Sequence, residues 1–317
     1  MSETKVAIVG SGLIGRAWAI AFSRGGCRVA LFDPEAGAAA RARGLIAKAL
    51  GDLADNGLLA GAAPADVLER MSVAEHLAEA LEGAVYAQES APEVLEVKVA
   101  ITADMGALAG ADTVLASSTS GFVPSSFTET APGRHRCLVA HPINPPYLLP
   151  AVEVVPAVWT DPSIVERARA LLESVGQVPI VMTREIDGFV LNRLQGALLH
   201  EAFRLVAGGY VSARDLDRAV VGGLGPRWSF MGPFETIDLN APGGIRQYVE
   251  RYGALYARLA ETQTEPCDWP AALDAGIEAE RAAALARAEI AARQAWRDRR
   301  LMALAGHKKD ADSTFGE

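Results

Sequence analysis

The feature that most limits the fold stands at the start of the chain. Val6-Ala7-Ile8-Val9 is a short apolar run, Gly10-Ser11-Gly12-Leu13-Ile14-Gly15 follows it directly, and a helix-like stretch continues from Arg16 to Ser23. A strand that turns through a glycine-rich loop straight into a helix is the opening unit of a parallel α/β sheet. In that setting the GxGxxG spacing has a mechanism: a tight turn, close approach of backbone to a pyrophosphate, and a helix N-terminus facing the negative charge. Gly10, Gly12, Leu13, Ile14 and Gly15 are therefore candidate dinucleotide contacts. The next apolar run, Arg28 to Phe32, ends in Asp33, placed as expected of a carboxylate that binds the adenine ribose hydroxyls. Its charge repels a 2′-phosphate, so the expected cofactor is NAD rather than NADP.

Three further runs, Ala84 to Ala87, Thr113 to Ala116 and Cys137 to Ala140, are each followed by an acid, a Ser/Thr cluster or a histidine. Ligands of open α/β sheets sit beyond the carboxyl ends of the strands, so these polar residues should converge on one crevice. Ala151 to Val155 and Val178 to Val181, separated by a helical Pro162 to Val175, extend the sheet with an antiparallel element. Pro34 to Leu81 reads as two Ala- and Leu-rich helices around Asn56-Gly57, with Lys48 as its one lysine. From Asp187 the pattern is helical: a long buried helix from Phe189 to Ala207, another from Ser212 to Val221, an amphipathic Ile277 to Ala305 suited to a partner subunit, and a frayed end from His307. The fold class expected is α/β: a Rossmann-type, mostly parallel sheet domain over residues 1–188, then an all-α domain over 189–317.

Composition narrows the function. In a chain of 317 residues, half of them hydrophobic, there is core enough for two domains, which excludes whole-chain disorder. Thirty basic residues against 39 acidic ones, a net charge of -9, lack the positive footprint that nucleic acids or anionic membranes require. No apolar stretch approaches the roughly 18 residues of a membrane helix, and glycines interrupt any signal-peptide core near the N-terminus. Cys27, Cys137 and Cys267 are far apart with no CxxC spacing, which fits a reducing cytoplasmic setting without a metal site.

His141 follows its strand at the sheet's carboxyl edge, where a nicotinamide would lie. Glu153 sits inside Val152-Glu153-Val154-Val155, where a carboxylate is costly unless paired, and His141 is a natural partner. A carboxylate on one ring nitrogen fixes the tautomer and leaves the other nitrogen to take a proton from an alcohol. The bland alternative is an edge-strand Glu153 facing solvent. Ser117-Ser118-Thr119-Ser120 offers several hydroxyls at the same edge, either as a polar capping loop or as hydrogen-bond donors to a substrate oxygen, and Asn192 could supply another.

With these motifs the chain resembles the 3-hydroxyacyl-CoA dehydrogenase family, and within it the λ-crystallin and L-gulonate 3-dehydrogenase branch. The likeness spans roughly Lys5 to Gly253 and includes Gly10 to Gly15, Glu93 with Lys98, Ser117 to Ser120, His141-Pro-Ile-Asn144-Pro, Glu153 and Asp187-Gly-Phe-Val-Leu-Asn192-Arg193. Gly223-Leu-Gly-Pro-Arg227-Trp-Ser-Phe-Met-Gly-Pro-Phe-Glu235-Thr points to the λ-crystallin branch. The resemblance implies a homodimer that oxidises an L-3-hydroxy acid with NAD. His141 is then the general base, Glu153 its orienting carboxylate, and Ser120 and Asn192 the partners of the reacting oxygen. Glu93, Lys98, Ser120 and Asn144 become cofactor contacts. Ser118 stands where acyl-CoA members usually carry Asn. In those members the excursion after the second strand carries CoA-binding lysines, so Lys48 alone disfavours a thioester. Arg227 could instead pair with a free carboxylate, its alternative being a structural ion pair with Glu235 or another acid. L-Gulonate is the best single substrate; an L-3-hydroxyacyl-CoA, a carnitine-type substrate, and a non-catalytic, NAD-binding crystallin-like role are the alternatives.

Overall fold

The computed structural model describes residues 4–316. β1 (Lys5–Val9) is almost wholly buried, and the chain reverses at Gly10 into α1 (Leu13–Arg24). Gly10 has a φ of +98°, and a Cβ there would lie 2.7 Å from the backbone of Ser90. A Cβ on Gly15 would stand 1.9 Å from the carbonyl oxygen of Gly10, so only glycine lets the helix close on the strand. The glycine spacing thus sets how the first helix packs on the first strand.

Eight strands form one sheet in the order β3-β2-β1-β4-β5-β6-β7-β8. They are β2 (Arg28–Phe32), β3 (Met71–Val73), β4 (Tyr86–Glu89), β5 (Val114–Ser117), β6 (Cys137–Pro142), β7 (Ala151–Pro156) and β8 (Val178–Val181). All pairings are parallel except β6 with β7. The crossovers are α2 (Ala38–Asp55), α3 (Pro64–Glu69), α4 (Leu77–Leu81), α5 (Leu95–Leu108), α6 (Ser125–Thr128) and α7 (Pro162–Ser174). Pro162 opens α7 where its missing N–H costs nothing, and the Asp161 carboxylate caps it by accepting from Ser163 N at 2.8 Å. One apolar cluster joins Ile8, Trp18, Leu31, Ile46, Leu50 and Val154 across the α1, α2 and α7 face; Val9, Leu81, Met105 and Leu115 belong to a second.

The stretch from Pro34 to Leu81 departs from the two-helix expectation. It holds three helices and the edge strand β3, whose three residues pair with Val29, Ala30 and Leu31. With only Met71 buried there, no alternation long enough to read as a strand exists in the sequence.

The chain divides into two compact units, residues 1–192 with 300–317, and residues 193–299. The division falls four residues beyond the expected boundary at Gly188, and the chain's end belongs to the first unit. The helices of the second half are α8 (Leu191–Ala207), α9 (Ala213–Ala219), α10 (Gly225–Trp228), α11 (Pro233–Leu239), α12 (Gly244–Thr262), α13 (Trp269–Ala272), α14 (Glu278–Ala284) and α15 (Ile290–Phe315). Within the second unit Phe203 of α8 stacks on Trp269 of α13 at 4.7 Å, and Arg281 of α14 pairs with Asp217 of α9 at 3.4 Å. Three expectations need correction. No residue of α8 is buried, and Leu194 and Leu198 of its apolar stripe are 61% and 39% exposed. The end after His307 is not frayed but helical to Phe315; upstream in the same helix Met302, 5% exposed, joins the first unit's core. The expected Ile277–Ala305 helix is broken at Leu285, whose backbone is extended, and α14 and α15 lie on either side.

Candidate active site

Glu153 and His141 face each other in register across the antiparallel β6–β7 pair. The carboxylate is 0% exposed, which rules out the solvent-facing alternative, and its Oε2 lies 2.8 Å from His141 Nδ1. Its other oxygen accepts from the backbone N–H groups of Val190 and Leu191 at 2.6 and 2.9 Å, at the start of α8. Burial alone would raise the Glu153 carboxyl, but the His141 hydrogen bond and those two amides outweigh it and hold the group below the usual carboxylate range. Glu153 therefore stays charged and can only accept. In the neutral imidazole the proton is then on Nδ1, and Nε2 carries a lone pair.

Phe189 closes one side of this pair. Its ring centroid is 5.6 Å from that of His141, it is fully buried, and its φ of +50° is a strained setting for a bulky residue. Val139, Val155 and Phe127 complete the apolar wall. His141 therefore has an apolar surround on this side.

The Ser117–Gly121 loop after β5 is organised by acids rather than by its own hydroxyls. Glu93 Oε1 accepts from Thr119 Oγ1 at 2.6 Å, Ser120 N at 3.0 Å, Gly121 N at 3.1 Å and Ser120 Oγ at 3.4 Å. Burial would raise Glu93, but Thr119, the Lys98 charge and the loop amides bring it below its ordinary range. Ser120 is exposed, and its carbonyl accepts from Asn192 Nδ2 at 2.7 Å, so the structure brings these two expected site residues together. Lys98 is buried beside Glu93. It is 1% exposed, its ammonium donates to Glu89 Oε1 at 2.9 Å and Ala91 O at 3.0 Å, and Glu93 Oε2 is 3.5 Å away. Ser117 donates to the second oxygen of Glu89. Lys98 thus supports the loop from beneath and reaches the crevice only through Glu93.

Sequence reasoning missed the layer under the crevice. Buried Gln88 donates to the Ala140 carbonyl at 3.2 Å and to Ser118 Oγ at 2.7 Å, and accepts from Tyr86 Oη at 2.7 Å. Trp18 Nε1 also donates to Ser118 at 3.1 Å, leaving the Ser118 proton for Ser90 Oγ at 3.0 Å. Ser118, departing from the Asn of the acyl-CoA members, is thus consumed by the framework that holds β4, β5 and β6 together. The available signal was a polar pair, Gln88-Glu89, ending an otherwise apolar strand.

The glycine loop fits a dinucleotide. Gly12 is exposed, with nothing within 4 Å of where a Cβ would be, so its backbone is open to a ligand at the α1 N-terminus. Asp33 directly follows β2 and holds the loop, Oδ2 accepting from Ser11 N and Ser11 Oγ at 2.7 Å each. Leu13 is 59% exposed and Ile14 half-buried, while Asn144 is exposed on the loop after His141. Arg227 lies on α10, half-buried; among the described residues it makes no ion pair with Glu235, and its charge acts on Tyr248. No group of three potential metal ligands occurs among the described residues, and none of their helices is long and apolar enough to cross a membrane.

Comparison with known proteins agrees with this geometry. The profile of the 3-hydroxyacyl-CoA dehydrogenase NAD binding domain matches residues 5–186, and that of the 3-hydroxyacyl-CoA dehydrogenase C-terminal domain matches residues 188–284. A lambda-crystallin homolog of Bos taurus is 43% identical over 303 residues, covering 95% of this chain and 94% of its own. An L-carnitine dehydrogenase of Streptomyces griseus subsp. griseus is 41% identical, over 78% of this chain and 73% of its own. Among solved structures, a 5-formyl-3-hydroxy-2-methylpyridine 4-carboxylic acid 5-dehydrogenase, described as an NAD+-dependent dismutase, superposes with a TM-score of 0.81 at 27% identity, over 95% of this chain and 97% of its own.

Proposed function

Because the chain belongs to the 3-hydroxyacyl-CoA dehydrogenase family and is an NAD-dependent dehydrogenase, we propose that it oxidises the 3-hydroxyl of a small, free L-3-hydroxy acid to the 3-keto acid, with L-gulonate as the leading substrate. The observation that carries the reading is the His141–Glu153 pair: a buried carboxylate at 2.8 Å fixes the imidazole with Nε2 available. His141 takes the hydroxyl proton on Nε2, and Glu153 stabilises the imidazolium that forms. Ser120 and Asn192 orient the reacting oxygen. When bound, NAD supplies the hydride acceptor. Gly10, Gly12, Leu13, Ile14 and Gly15 hold its pyrophosphate, Asp33 its adenine ribose, and Glu93, Ser120 and Asn144 its nicotinamide end, with Lys98 acting through Glu93.

A free acid rather than a thioester is supported by two observations. Lys48 is the sole lysine between residues 34 and 81. The carnitine and pyridine-carboxylate dehydrogenases are both named for substrates that are free acids. Arg227 is the proposed partner of the carboxylate. A cytoplasmic homodimer completes the reading, supported by the uncovered apolar side chains Phe230 (71% exposed), Phe234 (75%) and Leu239 (70%). His141→Ala should abolish turnover while NADH still binds, read by fluorescence titration. Near-normal kcat in that variant would remove His141 as the base.

A further inference from the structure

Gln88 is a polar side chain in the middle of the sheet, in register with Ile8 on one side and Ala116 on the other, and it is 0% exposed. An amide is costly there unless its polar atoms are satisfied, and both of them are. Tyr86 Oη donates to Oε1 at 2.7 Å, which fixes the amide's orientation and turns Nε2 toward Ser118 Oγ at 2.7 Å and the Ala140 carbonyl at 3.2 Å. Aromatic packing holds these groups in place: the rings of Tyr86 and Phe22 lie 5.5 Å apart, and Trp18, which also donates to Ser118, stacks on Phe22 at 5.3 Å. The two N–H bonds of this one amide end on different parts of the site. Ala140 directly precedes His141, and Ser118 lies two residues before Ser120.

The sheet's own ladder does not join these two parts. The β5–β6 register ends with Ser117 opposite Val139, so beyond it the loop bearing Ser120 and the strand end bearing His141 run on without a paired residue between them. On its other side His141 is tied to β7 through Glu153, which fixes the imidazole ring but not its distance from the loop. Gln88 reaches both parts from β4. We propose that Gln88 is a positioning residue for the dehydrogenase reaction: its amide sets the separation between His141 and the Ser117–Gly121 loop, and so the alignment of the base with the substrate hydroxyl. This role rests on His141 as the base. A misplacement of about 1 Å in such an alignment slows a chemical step by about 10²-fold. An apolar residue of similar volume would fill the same slot in the sheet but hold neither part.

The test compares wild type with Gln88→Met, Ser118→Ala and Tyr86→Phe in the full-length protein. The substrate is whichever of L-gulonate, L-3-hydroxybutyrate, L-carnitine and L-3-hydroxybutyryl-CoA wild type oxidises fastest. Both kcat and the stopped-flow rate constant of the first turnover are expressed per NADH site counted by fluorescence titration, so that unfolded protein does not enter. Gln88→Met should lower both about 10- to 100-fold, with KM and the Kd of NADH within about two-fold. Ser118→Ala cuts only the loop side of the link and should lower them by less. Tyr86→Phe removes a buried hydrogen bond of the same network but keeps both Nε2 donors, so its melting temperature should fall while its rates stay at the wild-type values. Normal rates in Gln88→Met, or an equal loss in Tyr86→Phe, overturn the assignment and leave a network that only holds strands together. A rise in the NADH Kd that matches the loss of rate overturns it in favour of the cofactor site. If His141→Ala keeps near-normal kcat, or wild type oxidises none of the four, the base and its positioning residue fall together; an inactive His141→Ala beside a normal Gln88→Met removes only the latter.

Discussion

Glu153 does two things with one carboxylate: it fixes the His141 tautomer through Oε2 and receives the first amides of α8 on Oε1. Glu153→Gln keeps the shape but removes the charge that stabilises an imidazolium, so kcat should fall on the order of 10³-fold with the NADH affinity preserved. Glu153 and Glu93 both sit below their ordinary range, so the unfolded chain binds protons there that the native chain does not. Their stabilisation is fully present above the unfolded carboxylate pKa of about 4.3 and disappears as pH falls through the depressed native values. Melting temperatures taken from pH 7 to pH 3 should therefore drop on acidification, and less steeply for Glu153→Gln. A slope unaltered by that substitution would contradict the assignment. This residue was legible because a charge inside Val152–Val155 demands a partner; Phe189 was not, since a positive φ leaves no mark in a Gly-Phe pair.

The elements most readable in sequence were those with both a pattern and a stop: β1 with its glycines, and β6 with His141 at its end. β3 escaped because three residues at a sheet edge have no periodicity, and α8 misled because an apolar stripe looks alike whether the chain covers it or not. The Ser117–Gly121 loop depends on elements distant in sequence, Glu89 at the end of β4 and Lys98 in α5, which no local pattern connects. Lys98→Met should expose that dependence. It leaves Glu89 charged, 1% exposed and without its cation, costing about 3–5 kcal/mol. A melting temperature within a degree or two of wild type would mean that the cluster is not the loop's support.

Across the whole molecule, the first unit holds the three apolar clusters of buried residues, whereas residues 193–299 leave Val221, Phe230, Phe234 and Leu239 more than two-thirds exposed. A second copy covering that surface predicts a particle of twice 33.4 kDa by light scattering, and a 33 kDa species at micromolar concentration would refute the homodimer. The return of residues 300–317 to the first unit was not readable, because it rests on contacts such as Met302 with the core rather than on any boundary signal. Substrate class is the property on which the account turns. The most direct measurement is NADH production with L-gulonate, L-3-hydroxybutyrate, L-carnitine and L-3-hydroxybutyryl-CoA side by side, compared as kcat/KM. The account predicts a clear preference for a free acid, with L-gulonate leading; a preference for the thioester would contradict it.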